Sequence, residues 1–424
     1  MVNRDRAIYV VKALPEGKGK QPLDLSSRVE SFMYLDRSTK ADRLEITIDN
    51  HDLKYFDDPV FRKGVILEVS WGYPGAMAQA RRCKITGVKC NSDKSGVKLT
   101  VEALELSMLL HQVKKCRVWK NMSLQDIADK ISYEYQTIAV FESVARDQLK
   151  EPEELAAASI QCIHVQQAAQ TDAELLHKLA RKHGLIFSVA QNGKITFEDP
   201  HLKKAPSRTV TWRGGAGDWE TFSIENDITG LFGAVTAKGI DAKTKGRVAS
   251  RADNDSTKRE GLMQTVEVVD GKTGEKHYAQ RAVAEQVEHT TTGEAGDTQV
   301  KAKAAGKFKA SQRGTIRLHG TIIGDPLLAA KQVLQVGGLG KRVSGKYRLI
   351  QVRHEIANSG AYRTYFVSKS DGHGGYNDGN NVPSKAEENK EKPLDSGSEV
   401  EKIKVVNGIT GERHYEFRSK RNKP

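Results

Sequence analysis

Polar and apolar residues alternate with a period of two along most of the chain, which predicts a protein built mainly from β-strands. The alternation is strongest between Leu318 and Lys369, where glycine-containing turns separate short apolar runs. Residues 1–112 and 207–310 show the same pattern, with longer polar connections in the second range. A helical period interrupts it within residues 113–200. The expected fold class is therefore mainly β with inserted helices (α+β).

The end of the strongest stretch predicts an antiparallel hairpin, in which Asn358-Ser359-Gly360 turns the chain. Uninterrupted alternation gives its first strand two faces. One face would hold Tyr347, Leu349, Gln351 and Arg353, and the other Arg348, Ile350, Val352 and His354. In the second strand, Tyr362, Thr364 and Phe366 would alternate against Arg363, Tyr365 and Val367.

Two helices carry N-terminal capping signals. Ser123 is the expected N-cap of the first, and Asp126 occupies the position of the capping-box acid. Thr171 and Glu174 have these roles in the second, which Gly184 is expected to end. Alanine-rich composition predicts two further helices, Arg281–Val287 and Gln299–Gln312.

An eleven-residue pattern occurs twice, at 268–278 and 405–415, with eight identical positions. It predicts two strands joined by an Asp/Asn-Gly turn and a Thr-Gly turn. Because a two-stranded hairpin is marginally stable alone, we expect the C-terminal copy to add to a sheet edge of a neighbour or partner. Chance reuse of a stable hairpin is the alternative. The residues that define these possible docking hairpins are Gly271, Thr273, Gly274 and His277 in the first copy and Gly408, Thr410, Gly411 and His414 in the second.

Composition limits the class of protein. The 424 residues allow two or three domains with cores of their own. A hydrophobic content of 38% is low for one dense core and suits thin barrels or surfaces covered by partners. The net charge is +13, but Lys and Arg are interspersed with Asp and Glu, so nucleic acid is not the favoured partner. No apolar run approaches the roughly 18 residues of a membrane-spanning helix.

The four cysteines show no metal-binding or redox spacing. Cys83 and Cys90 fall on one predicted strand, and their odd separation puts them on opposite faces. Cys116 and Cys162 have no nearby partner in the sequence. We therefore expect free thiols in a protein assembled in the cytoplasm.

No catalytic, cofactor or metal site is predicted. His177 and His183 lie six residues apart on one helix and face different directions. His354-Glu355 lacks the second histidine of a zinc-protease motif, and Gly337–Arg342 lacks the spacing and the Ser/Thr of a phosphate loop. His354 is therefore expected to be structural, and the chain is not expected to be an enzyme.

The ordered residues of the Leu318–Lys369 stretch resemble the end of the tail-hub proteins of contractile phages. These form the late control protein D family, which is related to the hub part of type VI secretion spike proteins. The helix and hairpin from Thr171 to Phe197 resemble the same family. The residues that carry the resemblance at the C-terminal end are Asp325, Pro326, Leu327, Gly338, Ser344, Gly345, Tyr347, Val352, His354, Gly360, Tyr362 and Thr364.

The resemblance covers residues 5–370 and implies two tail-tube-like β-barrels in one chain. It therefore also implies that the Leu318–Lys369 stretch, which would close the second barrel, pairs with residues 207–240. The expected domains are a first barrel in 1–112, a helix-containing insertion in 113–204, a second barrel with long loops in 205–370, a disordered and flexible linker in 371–399, and a C-terminal hairpin repeat with a basic tail in 400–424. His354, Tyr347 and Tyr362 become markers of the fold. No spike domain follows residue 370, so the spike is expected to be a separate chain.

The function implied by the resemblance is structural. Three copies would form a ring, a homotrimer, that adapts the hexameric tail tube to the trimeric spike in a virion baseplate or phage-like injection particle. The implied partners are further copies of the chain, the spike protein, the tail-tube or tube-initiator protein, and baseplate wedge proteins. A basic nucleic-acid-binding or other tail-associated binding protein, and a tail-tip cell-wall hydrolase, are the alternatives.

Overall fold

The structure of the protein is a computed structural model, and it is mainly β, as the alternation predicts. It describes residues 6–14, 21–93, 96–135, 160–189, 194–198, 205–212, 219–226, 232–240, 244–253, 263–269, 276–282, 287–291, 297–339, 343–370, 400–406 and 413–419. The strands are β1 (Ile8–Leu14), β2 (Leu23–Asp24), β3 (Val29–Arg37), β4 (Arg43–Asp49), β5 (Ile66–Tyr73), β6 (Ala76–Met77), β7 (Arg81–Asp93), β8 (Gly96–Glu105), β9 (Lys114–Ser123), β10 (Gln161–Thr171), β11 (Ile186–Val189), β12 (Ile195–Glu198), β13 (Arg208–Thr211), β14 (Trp219–Asn226), β15 (Ala234–Ile240), β16 (Arg247–Ala252), β17 (Met263–Val269), β18 (Lys276–Ala282), β19 (Val287–Thr291), β20 (Ile316–Ile323), β21 (Val333–Gly337), β22 (Gly345–Ile356), β23 (Tyr362–Ser370), β24 (Val400–Val406) and β25 (Arg413–Ser419).

The helices of the described ranges are α1 (Leu124–Tyr135), α2 (Asp172–Lys182) and α3 (Asp297–Gln312), with short 3-10 turns at Ser26–Arg28, Pro59–Phe61 and Leu106–His111. No helix in the described part of the chain combines the length and the apolar character that a membrane crossing requires. The chain divides into two compact units. The first holds Met1–Asn226, Ile316–Leu339 and Gly345–Ser370, and the second holds Asp227–Thr315, Gly340–Ser344 and Asp371–Pro424.

The first unit is organised around one sheet of fourteen strands. Its hydrogen-bonded order is β14-β20-β23-β22-β3-β4-β8-β7-β5-β1-β2, with β6 beside β5 and the pair β13-β21 beside β22. Residues 1–112 supply the strands from β1 to β8, and residues 205–370 supply the others. One continuous sheet therefore includes both sequence regions that were expected to form separate barrels.

Strand β22 makes this connection because it is long enough to serve two ladders. One of its edges pairs with β23 along most of its length. The other edge pairs first with β21, where Gly345 lies opposite Val336, and then with β3, where Ile356 lies opposite Phe32. Strands β13 and β14 join the same sheet, because β13 lies parallel to β21 and β14 antiparallel to β20. Residues 227–240, also expected to pair here, belong to the second unit.

A β-bulge between Leu349 and Gln351 corrects the predicted faces of β22. The bulge inserts one extra residue, so the alternation changes phase at this point. Leu349 lies opposite Ser368 and Val352 opposite Phe366, which places both on one face. The buried residues of that face are Tyr347, Leu349, Val352, His354 and Ile356. Strand β23 has no such irregularity and alternates as predicted.

The helix-containing insertion packs α1, α2 and the antiparallel pairs β9-β10 and β11-β12 around a second apolar core, which Ala41 and Met108–Leu110 of the preceding region also join. Both predicted capping boxes are present. The Ser123 hydroxyl accepts from the Asp126 amide while the Asp126 carboxylate accepts from the Ser123 amide, and Thr171 and Glu174 make the same exchange. Gly184 follows α2 with a φ of +71°, which favours glycine.

The second unit contains two smaller sheets. In the first, β15 lies between β16 and β19, and α3 packs on it through Val300, Ala304 and Phe308. The predicted helix at Arg281–Val287 is wrong where it can be compared, because Arg281 and Ala282 belong to β18 and Val287 begins β19. Helix propensity is a weak determinant even for alanine-rich segments, and the pairing of β18 with β17 overrides it here. The second sheet has the order β18-β17-β24-β25.

The structure forms no disulfide among the four cysteines, all of which it describes. Cys83 and Cys90 both lie on β7, and the first is buried while the second is exposed. The expected opposite orientation is wrong, because a β-bulge between Ile85 and Gly87 changes the alternation of β7. Cys83 lies opposite Glu105 and Cys90 opposite Leu99, which places both cysteines on one face of the sheet.

Candidate functional site

The stretch with the strongest sequence signal folds around one loop, residues 324–332, which connects β20 to β21. We call it the junction loop. Its first residues are bound to β23. The Gly324 amide donates to the Tyr362 carbonyl at 2.9 Å, and the Asp325 amide donates to the Thr364 hydroxyl at 3.0 Å. These two backbone donors therefore hold the start of the loop against β23.

His354 lies beneath the junction loop and is 1% exposed. Its Nε2 is 3.1 Å from the Leu328 carbonyl oxygen, which can only accept, so Nε2 carries the proton. Its Nδ1 is then an acceptor and takes a hydrogen bond from the Tyr362 hydroxyl at 2.8 Å. Both imidazole nitrogens are engaged, and the side chain connects β22 to β23 and to the loop.

Burial keeps both partners of this pair neutral. The pKa of His354 is lowered to about 3, mainly by burial, with the Leu328 hydrogen bond opposing this change and nearby Arg81 adding to it. Burial also raises the pKa of Tyr362. A neutral imidazole with both nitrogens occupied offers neither a general base nor a metal ligand at neutral pH.

The other side of the junction loop is bound to β3. The Ala330 amide donates to Asp36 Oδ2 at 3.1 Å, and the Arg81 guanidinium of β7 lies 3.9 Å from the same oxygen. Asp36 is 4% exposed. Burial, followed by repulsion from Asp42, raises the pKa of Asp36 to about 7, although Lys331, Arg81 and the Ala330 amide lower it. The junction loop is thus bound to β3, from residues 1–112, and to β22 and β23, from residues 205–370.

An aromatic layer lies between the same elements. Trp71 of β5 packs against Tyr34 with ring centroids 4.5 Å apart and against His354 at 5.1 Å. Tyr73 packs against Tyr362 at 5.5 Å. Each aromatic pair of this kind contributes about 0.5–1.5 kcal/mol beyond burial. The layer attaches β5 to the β22-β23 hairpin, although β5 pairs with neither of these strands.

Gly324 allows the closest approach in this region. A Cβ at this position would lie 2.1 Å from the ring of Tyr362, a distance that real Cβ atoms essentially never show. Gly72 of β5 is similarly confined, with a Cβ position 2.3 Å from the Ala76 carbonyl oxygen and a φ of +148°. The junction is therefore packed tightly enough to require glycine at these two positions.

The structure brings several of the residues that carry the family resemblance together at the junction loop. They are Asp325, Pro326, His354, Tyr362 and Thr364, and Arg208 of β13 adds an ion pair to Asp325 at 2.7 Å. Gly345 and Tyr347 lie at the other end of β22, opposite β21. Gly360 lies in the turn before β23, with a φ of +79°.

Most of the residues singled out in the repeat lie outside the described part of the chain. These are Gly271, Thr273, Gly274, Gly408, Thr410 and Gly411. His277 and His414 lie on β18 and β25, which the structure describes as backbone strands.

The insertion contains a buried ionic cluster that sequence reasoning missed. The enclosed carboxylate of Asp172 accepts from the Lys115 ammonium and the Tyr135 hydroxyl, each at 2.7 Å, and also pairs with Arg117. Burial alone would raise the pKa of Asp172, but these donors and Gln167 lower it. Asp172 is the first residue of α2, where a carboxylate is favoured, and this position was the available signal.

The chemistry of these clusters is structural. The hydrogen bonds described above join their polar groups to one another and to backbone groups. Within the described ranges, no group of three or more His, Cys, Asp or Glu side chains is placed to hold a metal ion.

The fold matches those of phage tail proteins over nearly their whole length. A tail protein from Neisseria meningitidis is 15% identical, with a TM-score of 0.60 and coverage of 87% of this chain and 98% of that one. The 43 kDa tail protein of prophage MuSo2 from Shewanella oneidensis is 14% identical, with a TM-score of 0.56 and coverage of 86% and 98%. Prophage tail protein gp18 from Listeria monocytogenes is 9% identical, with a TM-score of 0.50 and coverage of 86% and 95%. The resemblance inferred from the sequence is thus confirmed at the level of the fold.

Sequence comparison gives a different kind of match. A family model described as the Alg8 N-terminal domain matches residues 44–358, which include the whole of the junction loop. No curated protein matches the sequence.

Proposed function

The chain belongs to the Alg8 N-terminal domain family and has the fold of phage tail proteins, and on this basis we propose that it is a structural hub subunit of a contractile-tail baseplate. In this proposal three copies form a ring between the hexameric tail tube and the trimeric spike. The observation that carries it is the fold match over 98% of a tail protein from Neisseria meningitidis.

In this proposal the strands of the large sheet belong to two tube-like barrels. The first would comprise residues 1–112, and the second would comprise β13 and β14 together with residues 316–370. Three chains with two barrels each present six similar barrels to a six-fold tube while keeping three-fold symmetry toward the spike. Barrel closure would also remove exposed strand edges, which otherwise invite aggregation.

The junction loop supports a rigid connection between these barrels. It is bound to β3 through Asp36, to β22 through His354, and to β23 through the Gly324 and Asp325 amides. A buried polar network whose members are satisfied resists deformation. A symmetry adapter needs this property because both barrels must keep a fixed spacing under load from the contracting tail.

The proposed role requires contacts and no turnover. Its partners would be two further copies of the chain, the spike protein, the tail-tube or tube-initiator protein, and the baseplate wedge proteins. The location would be the baseplate of a virion or of a phage-like injection particle, assembled in the bacterial cytoplasm.

The mass of the purified full-length chain in solution tests this proposal. Multi-angle light scattering should give three times the 46.9 kDa of one chain, independent of salt concentration. A monomer that binds DNA with a steep salt dependence would instead overturn the hub and favour a basic nucleic-acid-binding protein. Release of soluble fragments from purified peptidoglycan would overturn it in favour of a hydrolase.

A further inference from the structure

The C-terminal hairpin pairs with its own sequence repeat. Strand β24 lies antiparallel to β17, with Glu267 opposite Lys404 and Val268 opposite Ile403. The two hairpins together form the four-stranded sheet of the second unit. The second copy of the repeat, β24-β25, therefore binds to the strand edge of the first copy, β17-β18.

Both hairpins have the same internal register. Val268 lies opposite His277 in the first, and Val405 lies opposite His414 in the second. These are corresponding positions of the eleven-residue repeat. Identical registers make β17 and β24 equivalent edges that differ only in the side chains they present.

The pairing is centred on one pair of corresponding positions. Glu267 and Lys404 each lie one residue before the repeat begins, and they face each other across the β17–β24 ladder. Two equivalent strands that pair antiparallel about corresponding residues are related by a local two-fold axis through that pair. The two hairpins are therefore related by a pseudo-two-fold axis. We call the four-stranded sheet formed by β17, β18, β24 and β25 the clasp.

The charges of Glu267 and Lys404 favour pairing of β17 with β24 over pairing of either strand with a second copy of itself. Two copies of β17 would place Glu267 opposite Glu267, and two copies of β24 would place Lys404 opposite Lys404. Like charges directly opposite each other destabilise an antiparallel pair. The mixed pair places opposite charges together, so a β17 edge prefers a β24 edge over another β17 edge.

We propose that in the assembled ring the clasp closes between neighbouring copies, with β24 of one chain on β17 of the next. An interface between unlike edges is heterologous, and repeated around a rotation axis it closes a ring. The 29 residues between Ser370 and Val400 can span at most about 100 Å when fully extended, so the C-terminal hairpin is tethered by a long connection. This inference rests on the proposed function, because the ring supplies the neighbour.

Cysteines placed on separate chains test the exchange directly. Opposite residues of an antiparallel pair have Cα atoms about 4.5–5.5 Å apart, within the range of a disulfide. One tagged chain carries Glu267→Cys and a second carries Lys404→Cys, and exposed Cys90 and Cys116 are replaced by Ser in both. After co-expression and oxidation, a non-reducing gel should show a covalent dimer that contains both tags.

Each single-cysteine chain expressed alone is the matched control and should stay monomeric on the same gel. A second pair, Val268→Cys in one chain and Ile403→Cys in the other, leaves both charged residues in place. Adding Glu267→Lys to the first chain or Lys404→Glu to the second should then weaken cross-linking, and the two together should restore it. Absence of the mixed dimer in a preparation whose mass is trimeric overturns the exchange and leaves the hub standing. A preparation with the mass of one chain overturns the hub itself.

Discussion

The Tyr362 hydroxyl donates a hydrogen bond to Nδ1 of His354 at 2.8 Å, in the interior of the first unit. Tyr362→Phe removes the donor and leaves a buried ring nitrogen poorly paired, since the Thr364 hydroxyl is 3.4 Å away. We expect the free energy of unfolding to fall by about 1–3 kcal/mol. Urea unfolding followed by the fluorescence of nearby Trp71 measures this change.

Tyr133→Phe is the matched control for that substitution because Tyr133 is 73% exposed on α1. It should leave the unfolding midpoint unchanged. Equal midpoints for Tyr362→Phe and Tyr133→Phe would contradict the assigned role of the hydroxyl.

His354 should make the protein less stable in acid. Its folded pKa is about 3, whereas an unperturbed histidine titrates near 6.5, so the unfolded chain binds the proton first. The stability is therefore fully present above pH 6.5 and is lost as pH falls below it, by about 2 kcal/mol at pH 5. Unfolding curves at pH 7.5 and 5 should show a smaller difference in His354→Gln than in the unchanged protein. Exposed His164→Gln should preserve the original difference.

Asp36 should act in the opposite direction. Its folded pKa is raised to about 7, so between about pH 4 and 7 the folded state holds a proton that the unfolded state has lost. This group therefore reduces stability as pH rises, by about 2–3 kcal/mol between pH 5 and 8. Asp36→Asn keeps an acceptor for the Ala330 amide and should remove that loss. Parallel stability curves for the variant and the unchanged protein would show that Asp36 is ionised throughout.

Gly324→Ala tests the packing of the junction loop. The new methyl group would lie 2.1 Å from the Tyr362 ring, and the loop or the ring must move to admit it. Overpacking of this kind costs about 1–3 kcal/mol. Gly87→Ala is the control, because its Cβ would meet nothing closer than 3.7 Å. If the two variants unfold at the same urea concentration, the junction loop is not closely packed.

Asp172→Asn tests the ionic cluster of the insertion. The substitution leaves Lys115 and Arg117 without their enclosed counter-charge, and losing one partner of a buried pair costs about 3–5 kcal/mol. Glu134→Gln affects the same two cations through a carboxylate that is 39% exposed, so it should cost less than about 1 kcal/mol. The two free energies of unfolding, measured side by side, should differ in this order. The reverse order would show that the pairs to Glu134 dominate.

Sequence reasoning succeeded where the determining interactions are local. The Ser123–Asp126 and Thr171–Glu174 boxes involve residues three positions apart, so a pattern can identify them. The alternation of β23 was recognised for the same reason, since each of its side chains obeys one repeat.

The rest depends on contacts between distant residues. The bond from the Ala330 amide to Asp36 joins positions 294 residues apart, and neither residue signals it locally. The bulge at Leu349 arises where β22 adjusts to its neighbours, and no glycine or proline marks it. The resemblance to tail hubs identified His354 and Tyr362 as markers, but only their burial and bonding give a physical reason for them.

The most direct test of the account is an axial view of the assembled protein by electron cryo-microscopy, without imposed symmetry. We predict a ring of three chains in which six similar barrels surround a central channel, so that the inner ring is close to six-fold while the outer features are three-fold. A particle that contains a single chain, or a ring whose subunits each contribute one barrel, would contradict the proposal that this protein adapts a six-fold tube to a three-fold spike.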